Sequence, residues 1–497
     1  MIFYGNWDEL KNDERGTEDN IPRNQFWSFV PDDNIDSDEL FVALRFDIYN
    51  QGDETIAKDL SEIVKRNDFA AKREERTNFW NDFFAKVPRP MNFSFDIQKD
   101  NDVSEQQVKN MYYKAWALIY SSVLPEGPEV GFNYKQVCCG KPSMWGFGAE
   151  SATYSAAWES FVAIQFLSYV EPDIAWNAFE GLMSLVDDDG VLGGESLPSY
   201  KAQTAWVVYN NKKDKEALER ITPALERYLN WRMENPRWII ESNEVNGERD
   251  LDFISNALVD IDYAVRIFKE LGNEEKATEW ENKGKDYYKQ FQEWMIYKNN
   301  VYLTYNDITQ RRSTGNVLWL SKGLHIPNIT DEDFDLFYKN FKGAYRANAS
   351  LGGFHTVKFD SMQYPIYSFI EKGGDYLEIA QNLVEITYRD VASTNFLAEV
   401  YNSGGKKIFA DGVRPSMFGA GLMIDNVLIK NGFMYYEGRP KVINLYGTSG
   451  GVENIHINGD TFNVVQTGSE NKIKLGGTFF ESEQEIVLEV GETKIFE

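Results

Sequence analysis

Residues 252–272, which read DFISNALVDIDYAVRIFKELG, and residues 273–297, which read NEEKATEWENKGKDYYKQFQEWMIY, decide the fold class. Both segments carry apolar residues at three- and four-residue steps, which is the spacing of one face of an α-helix. The first segment is mostly apolar and the second is mostly charged. A buried helix followed by an amphipathic helix on its outside gives this alternation.

The same periodicity covers most of the chain between residues 55 and 432. Further helical segments are predicted at residues 55–67, 70–87, 104–124, 151–170, 172–186, 201–234, 314–324, 331–343, 363–373, 375–391 and 417–432. With helices of the length usual in globular proteins, these segments correspond to about eleven or twelve helices. Many of them form pairs of one apolar and one charged helix. Six such pairs predict an all-α fold, an (α/α)6 toroid with an inner and an outer ring.

The two ends of the chain have a different character. Residues 441–465 and 483–496 contain short β-branched runs broken by Gly, Asn-Gly and Gly-Thr, which predict strands and tight turns. The alternation at residues 40–50, LFVALRFDIYN, predicts one more strand. We therefore expect an N-terminal extension at residues 1–60, a helical catalytic domain at residues 61–435 and a small all-β appendage at residues 436–497.

Composition excludes several classes of function. The net charge of −27 argues against nucleic-acid binding, which needs basic patches. The two cysteines are adjacent, and the three histidines are far apart in sequence, so we expect no metal site and no cofactor. Ser-His-Asp catalysis is poorly supported for the same reason. The N-terminus does not resemble a signal peptide and no apolar run approaches a membrane span, so the expected location is the cytoplasm.

Carboxylates and aromatic rings are the remaining candidates for chemistry. Aromatic residues make up 15% of the chain, and their rings either fill a large core or stack on sugar rings in a groove. Functional residues concentrate in loops, so the loops between helices are the places to look for both types. The candidates are Trp145, Phe147 and Glu150 in one loop, Gln203 and Trp206 in a second, the acidic residues Glu241, Glu244, Glu248, Asp250 and Asp252 in a third, and Glu399 with Arg414 in a fourth.

Two of these carboxylates have a simpler interpretation beside the chemical one. Glu150 precedes a helical segment, where the helix dipole favours a negative charge without any function. Glu399 lies in the apolar stretch FLAEVYNSGG, residues 396–405, and is either a buried structural carboxylate or a catalytic one. Two carboxylates from distant loops that face each other across a cavity are sufficient for glycoside hydrolysis.

Several blocks, taken in order, resemble the inverting glycosidases of clan G, which include the trehalase family, the family 63 α-glucosidases and their mannosylglycerate-hydrolase-like relatives. The resemblance covers residues 70–435. Its blocks are REERTNFWNDFFAKVPRP, MYYKAWALIY, MWGFGAESATYSAAW, DGVLGGESLPSYKAQTAWVVY, RWIIESNEV, DLDFISNALVDIDYAVRIFKELGNEEKATEW and FLAEVYNSGG. The chain departs from the family pattern at Glu150, which replaces an Asp, and at Glu244, which comes one position early for the acid.

The resemblance implies an exo-acting, inverting glycosidase for α-linked glucose or mannose. It implies Glu399 as the general base and Glu244 as the general acid, with Glu241 or Asp250 as alternatives for the acid. It further implies a set of sugar-binding residues and no metal ion. That set consists of Trp145, Phe147, Glu150, Gln203, Trp206, Tyr401 and Arg414.

Three other interpretations stay open at this point. A relative of the α-L-rhamnosidases also carries a toroid followed by a β-domain. A polysaccharide lyase shares the toroid, but the scarcity of His and the acidic charge argue against it. A sugar-binding relative without activity keeps the aromatic residues and loses the acid.

Overall fold

The structure, a computed structural model, describes residues 58, 69–96, 103–127, 133–137, 157–192, 200–237, 247–314, 321–344, 359–403, 408–412, 414–468 and 470–497. The chain divides into two compact units, residues 1–82 and residues 83–497. The first unit is described at Lys58 and in the greater part of the first helix, where Lys72 and Glu75 form an exposed ion pair of 2.9 Å. The strand predicted at residues 40–50 lies outside the described residues.

The described residues are mostly helical. The helices are α1 (Phe69–Phe84), α2 (Glu105–Ser121), α3 (Ala157–Val170), α4 (Pro172–Met183), α5 (Lys201–Lys212), α6 (Lys215–Glu234), α7 (Leu251–Glu270), α8 (Glu274–Met295), α9 (Asp331–Ala344), α10 (Phe359–Lys372), α11 (Leu377–Thr394) and α12 (Met417–Lys430). Two 3-10 turns, Ser321–His325 and Gly374–Tyr376, accompany them. These helices confirm the helical character that the periodicity predicts.

The helices pack in a regular order of neighbours. Helix α3 packs on α5, α5 on α7, and α7 on the 3-10 turn Ser321–His325. That turn packs on α10, α10 on α12, and α12 returns to α3. The remaining helices of the second unit each lie against this set: α2 against α12, α4 against α3, α6 against α5 and α7, α8 against α7, α9 against the turn, and α11 against α10 and α12.

Burial separates the two sets of helices. All 14 residues of α12 are buried, whereas α8 buries five of its 22 residues. The five are spaced along one face, and the other faces of α8 carry charged residues. In the sequence, some helical segments are apolar and others are charged. The structure gives the reason: the apolar helices are surrounded by protein on every side, and the charged ones expose part of their surface to solvent.

The sequence segment 201–234 forms two helices instead of one. Lys213 adopts a left-handed conformation with φ of 57°, which ends α5. The Asp214 side chain accepts a hydrogen bond of 3.0 Å from the Ala217 amide and so caps α6. A continuous apolar periodicity hides this break, because both helices present apolar faces to the same core.

Strands are short among the helices and longer after them. The strands are β1 (Arg89–Pro90), β2 (Val123–Leu124), β3 (Gln136–Val137), β4 (Glu248–Asp250), β5 (Ile296–Tyr297), β6 (Asn300–Val301), β7 (Thr304–Asn306), β8 (Arg311–Ser313), β9 (Val400–Ser403), β10 (Ile408–Asp411), β11 (Phe433–Tyr436), β12 (Arg439–Ile443), β13 (Ser449–Ile457), β14 (Asp460–Thr467), β15 (Lys472–Gly476), β16 (Gln484–Val487) and β17 (Thr493–Ile495). An antiparallel sheet of order β1-β13-β14-β15-β16 and a second of order β11-β12-β17 contain the C-terminal strands.

The turn between β13 and β14 confirms one sequence signal in detail. Asn458 and Gly459 have φ of 49° and 88°, and Ile457 pairs with Asp460 across the hairpin. Positive φ at both central residues is the backbone that Asn-Gly favours in a two-residue hairpin turn. Within the described ranges, no helix is both long enough and apolar enough to cross a lipid bilayer.

A carboxylate from α7 fixes the start of α5. The backbone amides of Lys201 and Gln203 donate to the two oxygens of Asp260, at 2.9 and 3.0 Å. These amides belong to the first turn of α5, where a helix has no partners of its own for them. Burial of Asp260 raises the pKa of its carboxyl to about 7, although the amides and Lys201 favour the charged form. The first turn of α5 therefore lies beside the middle of α7.

We expect Asp260→Asn to change how stability depends on pH. The folded pKa lies above the unfolded value, so the wild type binds the extra proton in the folded state between pH 4 and pH 7 and loses stability as pH rises through that range. The variant lacks this loss, which amounts to about 2–3 kcal/mol between pH 5 and pH 8. Urea unfolding of both proteins at the two pH values measures it. An identical pH dependence in the two proteins would contradict the assignment.

Candidate active site

Glu399 lies directly before a β-hairpin that connects α11 to α12. Strands β9 and β10 pair in antiparallel register, with Val400 opposite Asp411 and Tyr401 opposite Ala410. Glu399 is buried, with 7% of its surface exposed. The apolar setting seen in the sequence is therefore a buried setting in the structure.

Gly412 makes room for the Glu399 carboxylate. A Cβ atom at Gly412 would lie 2.6 Å from Glu399 Oε2, which is far inside van der Waals contact. Gly412 also has a φ of +66°, in the left-handed region that favours glycine. The carboxylate is thus held against the backbone of the returning strand, and this position requires a residue without a side chain.

Tyr401 supports the backbone that leads to Glu399. Its hydroxyl donates to the Phe396 carbonyl at 3.0 Å and accepts from the Ala398 amide at 2.9 Å. Gly419 in α12 packs against the same place, since a Cβ there would lie 2.5 Å from the Ala398 nitrogen. Tyr401 is fully buried. Its hydroxyl therefore bonds to the chain's own backbone, one and three residues before Glu399.

Arg414 and Asn402 lie on the exposed side of the same hairpin. The Arg414 guanidinium donates to the Ala410 carbonyl at 3.1 Å, and the Asn402 side chain donates to Asp411 at 2.8 Å. The structure thus brings together Glu399, Tyr401 and Arg414 of the predicted set, all on one segment.

Charged and aromatic side chains meet where several helices begin. Trp158, Asp252 and Phe418 are the second residues of α3, α7 and α12, and Lys322 is the second residue of its 3-10 turn. The Trp158 and Phe418 rings meet edge to face with centroids 4.9 Å apart. The Lys322 ammonium lies 5.4 Å from the Trp158 ring centre and forms a buried ion pair with Asp252.

Glu159, the third residue of α3, connects this group to the Glu399 segment. The Ser416 hydroxyl donates to Glu159 at 2.5 Å, and the Ser416 amide donates to the Leu397 carbonyl at 2.8 Å. Glu399 is two residues further along the chain. We name Glu159, Asp252, Lys322 and Ser416 the polar network.

The position of the polar network has an electrostatic consequence. The first turns of α3, α7 and α12 carry the positive ends of the helix dipoles, which stabilise carboxylates. A site at this end can hold more than one carboxylate beside hydroxyl groups. Acid and base catalysis by paired carboxylates needs this arrangement.

Gln203 lies elsewhere, in a cavity of about 380 Å³ between the helices. Its amide nitrogen donates to the Tyr263 hydroxyl, and its carbonyl accepts from the Tyr364 hydroxyl, both at 3.4 Å. Trp206 is half-buried on α5, and its ring centre lies 5.9 Å from that of Tyr209. These two predicted residues do not share the hairpin of Glu399.

Glu244, Trp145, Phe147 and Glu150 lie outside the described residues. The alternative acid Asp250 is described and buried, and its amide donates to the Pro236 carbonyl at 2.8 Å. Among the residues that the structure describes, no cluster of three or more His, Cys, Asp or Glu side chains is arranged to hold a metal ion.

Sequence reasoning missed most of the polar network and two exposed rings. Asp252 is named only as one of five acidic residues, and Glu159 and Lys322 are not singled out. Phe396 and Phe409 flank the Glu399 segment with 52% and 47% of their surfaces exposed. Both rings could have been chosen from the sequence, because each is an aromatic residue close to Glu399 in the segment between two predicted helices. The Lys322–Asp252 pair joins residues 70 positions apart and leaves no local signal.

Comparison with known proteins gives the class of fold. No family model matches the chain, and no curated protein sequence matches it. A sialidase structure matches with a TM-score of 0.55 at 10% identity over 76% of this chain. The chain spans 39% of that sialidase chain, or about two fifths of its length.

Two further structures match less closely. A family 78 rhamnosidase of Bacillus sp. GL1 matches with a TM-score of 0.47 at 11% identity, over 64% of this chain and 37% of its own. A family 63 mannosylglycerate hydrolase from Thermus thermophilus has a TM-score of 0.47 at 10% identity, over 64% of this chain and 99% of its own. At 10% identity the likeness to the sialidase shows the fold alone.

We expect Tyr401→Phe to destabilise the protein by about 1–3 kcal/mol, because it leaves the buried Ala398 amide without its acceptor and removes one of the two hydroxyl donors to the Phe396 carbonyl. Tyr287→Phe is the matched control: the Tyr287 hydroxyl is also buried but has no hydrogen-bond partner among the described residues. Urea unfolding should show a loss for Tyr401→Phe and a change within about 0.5 kcal/mol for the control. Equal effects of the two substitutions would argue against the supporting role of Tyr401.

Proposed function

We propose that this protein is an inverting, exo-acting glycoside hydrolase built on an (α/α)6 toroid. The order of helix neighbours supports the toroid, because α3, α5, α7, the turn Ser321–His325, α10 and α12 follow one another and return to α3. The proposed domains are an extension at residues 1–60, the catalytic toroid at residues 61–435 and the β appendage at residues 436–497.

The burial of Glu399 beside Gly412 carries the proposal. A carboxylate held against backbone, at the end where several helices begin, is fixed in position and partly removed from water. Glu399 would take a proton from a water molecule as that water attacks the anomeric carbon. The bond from the anomeric carbon to the leaving oxygen breaks, and the configuration at that carbon inverts.

The general acid in this proposal is Glu244, with Glu241 and Asp250 as alternatives. It would give its proton to the leaving oxygen on the opposite face of the sugar. The two carboxyl groups of an inverting enzyme stand roughly 6.5–9.5 Å apart, which leaves room for the attacking water. The polar network bonds through Ser416 to the Leu397 carbonyl, two residues before Glu399, and would help to hold Glu399 in position.

The proposed substrate is a small carbohydrate that ends in α-linked glucose or mannose. Trp145, Phe147, Glu150 and Arg414 are the proposed sugar-binding residues. Tyr401 is proposed as a positioning residue for the Glu399 backbone, and Gln203 and Trp206, predicted for the same role, lie on α5 away from the Glu399 hairpin. The exposed rings of Phe396 and Phe409 add flat apolar surfaces beside the Glu399 hairpin, on which the C–H face of a sugar can stack. No metal ion or cofactor enters this mechanism.

We expect Glu399→Gln to lower kcat by about 10²–10⁴-fold, the usual contribution of a general base. The control is Glu481→Gln on the exposed surface, which should keep full activity. Proton NMR of a panel of α-linked disaccharides and aryl glycosides, including aryl α-L-rhamnosides, reports the sugar and the released anomer together. Unchanged hydrolysis in Glu399→Gln, or retention at the anomeric carbon, would refute the mechanism.

We expect Gly412→Ala to lower kcat by about 10²-fold, because the new methyl group displaces the Glu399 carboxylate by an amount to which catalysis is sensitive. Gly373→Ala is a matched control: Gly373 has a similar φ of +60° but nothing lies within 4 Å of its added Cβ. Both variants place an alanine at a positive φ. Similar kcat values in the two would show that Glu399 does not need its present position.

A further inference from the structure

The 380 Å³ cavity lies away from the Glu399 hairpin. Its floor includes Asp425 of α12, eight residues after Met417, which is about 12 Å along the helix axis at 1.5 Å per residue. Its rim includes Asn328 and Glu371, which are exposed. The volume is within the range of small-molecule sites, roughly 300–1,000 Å³. The cavity therefore extends from solvent to a buried carboxylate.

Asp425 stands without a cationic partner in the part of the chain that the structure describes. Its side chain is buried, with 2% of the residue exposed, and it accepts one hydrogen bond, from the Tyr367 hydroxyl. Burial raises the pKa of its carboxyl well above the usual value. A buried carboxyl group without an ionic partner favours its protonated form. A cation in the cavity would favour the charged form instead, with release of the carboxyl proton to solvent, and would supply the missing partner.

The other charged groups of the cavity already have ionic partners. Arg266 contacts Glu437 at 2.5 Å and Asp262 at 2.7 Å. On the rim, Lys372 pairs with Asp331 at 2.8 Å, and Glu371 lies 3.9 Å from Lys441. His325 is neutral at pH 7, because burial lowers the pKa of its imidazole to about 4. Asp425 is the acidic group in the lining that has no ionic partner among the described residues.

Tyrosine rings form the wall around Asp425. Tyr435 stacks on Tyr169 with ring centres 3.5 Å apart, and both line the cavity. Tyr435 is 8% exposed, and its hydroxyl has no hydrogen-bond partner among the described residues. Aromatic rings attract organic cations through the negative potential of their faces, most strongly where water is excluded. An unpartnered hydroxyl is available for a polar group of the same ligand.

We propose that this cavity binds a small organic cation, an amine or a quaternary ammonium compound, with Asp425 as its counter-ion and the tyrosine rings around it. The acidic lining and the chain's net charge of −27 favour a cation over an anion. The described lining of the cavity contains no residue of the Glu399 hairpin, and the proposal does not depend on the hydrolase activity.

The test is isothermal titration calorimetry of the wild-type protein with choline, ethanolamine and putrescine at pH 7.5. A neutral isostere of choline, 3,3-dimethylbutan-1-ol, separates charge from apolar fit. We expect at least one cation to bind in the micromolar to millimolar range, and the alcohol to bind at least about tenfold more weakly than choline if choline is that cation. Failure of all three cations to bind, or equal binding of choline and the alcohol, overturns the proposal.

Three variants locate the bound cation. Asp425→Asn should weaken binding by at least about tenfold while it keeps an acceptor for Tyr367. Glu371→Gln on the rim removes the same charge at an exposed position and should change binding by less than about threefold. Glu399→Gln should leave binding unchanged. Binding that survives Asp425→Asn, or that is lost in Glu399→Gln, contradicts the assignment. If Asp425→Asn does not fold, the comparison of the cations with 3,3-dimethylbutan-1-ol on the wild-type protein still decides.

Discussion

The hydrogen bonds of Ser416 hold three parts of the molecule in one place. The hydroxyl donates to Glu159 of α3 and accepts from the Phe418 amide at the start of α12, and the amide donates to Leu397 beside the Glu399 hairpin. Ser416 is fully buried, so these bonds form without competition from water. Ser416 therefore links the chain beside Glu399 to α3 and α12, whereas β9 and β10 pair with no further strand among the described residues.

Most of the buried charged side chains in the helical unit have a hydrogen-bonded or ionic partner. A buried charge is tolerated when a partner or a helix terminus compensates for its lost hydration. Asp260 accepts hydrogen bonds from two amides at the start of α5, and Lys322 forms an ion pair with Asp252. Asp425 departs from this pattern, since a tyrosine hydroxyl is the one donor to it among the described residues. This lack of an ionic partner is the reason why we assign Asp425 to ligand binding and not to stabilisation of the fold.

The sequence predicted what depends on local pattern. Ser104 caps α2 at the first residue of its predicted segment, and Asn458-Gly459 forms the predicted turn, because both signals act within a few residues. The pattern predicts a start of α10 at Gln363, close to Pro365, but the helix begins at Phe359 and contains the proline. Buried packing of Ser361 and Met362 outweighs the usual preference of proline for the first turn.

Contacts between distant segments could not be predicted in the same way. Glu399 is recognisable in the sequence because a single carboxylate stands in an apolar stretch. Lys322 and Asp252 each look like ordinary surface charges in sequence, and only the packing of α7 against the turn shows that they are paired and buried. The cavity near Asp425 has the same origin, since its walls come from segments between α3 and β11.

The complete burial of α12 has a consequence for motion. A helix with one solvent face can fray or open by itself, but α12 has none, so its amides reach water only when neighbouring helices separate. Its hydrogen exchange is therefore governed by cooperative opening of the helical unit. Met417, next to Ser416, and Asp425 lie on this one slow-exchanging element, and the two sites beside them share its rigidity.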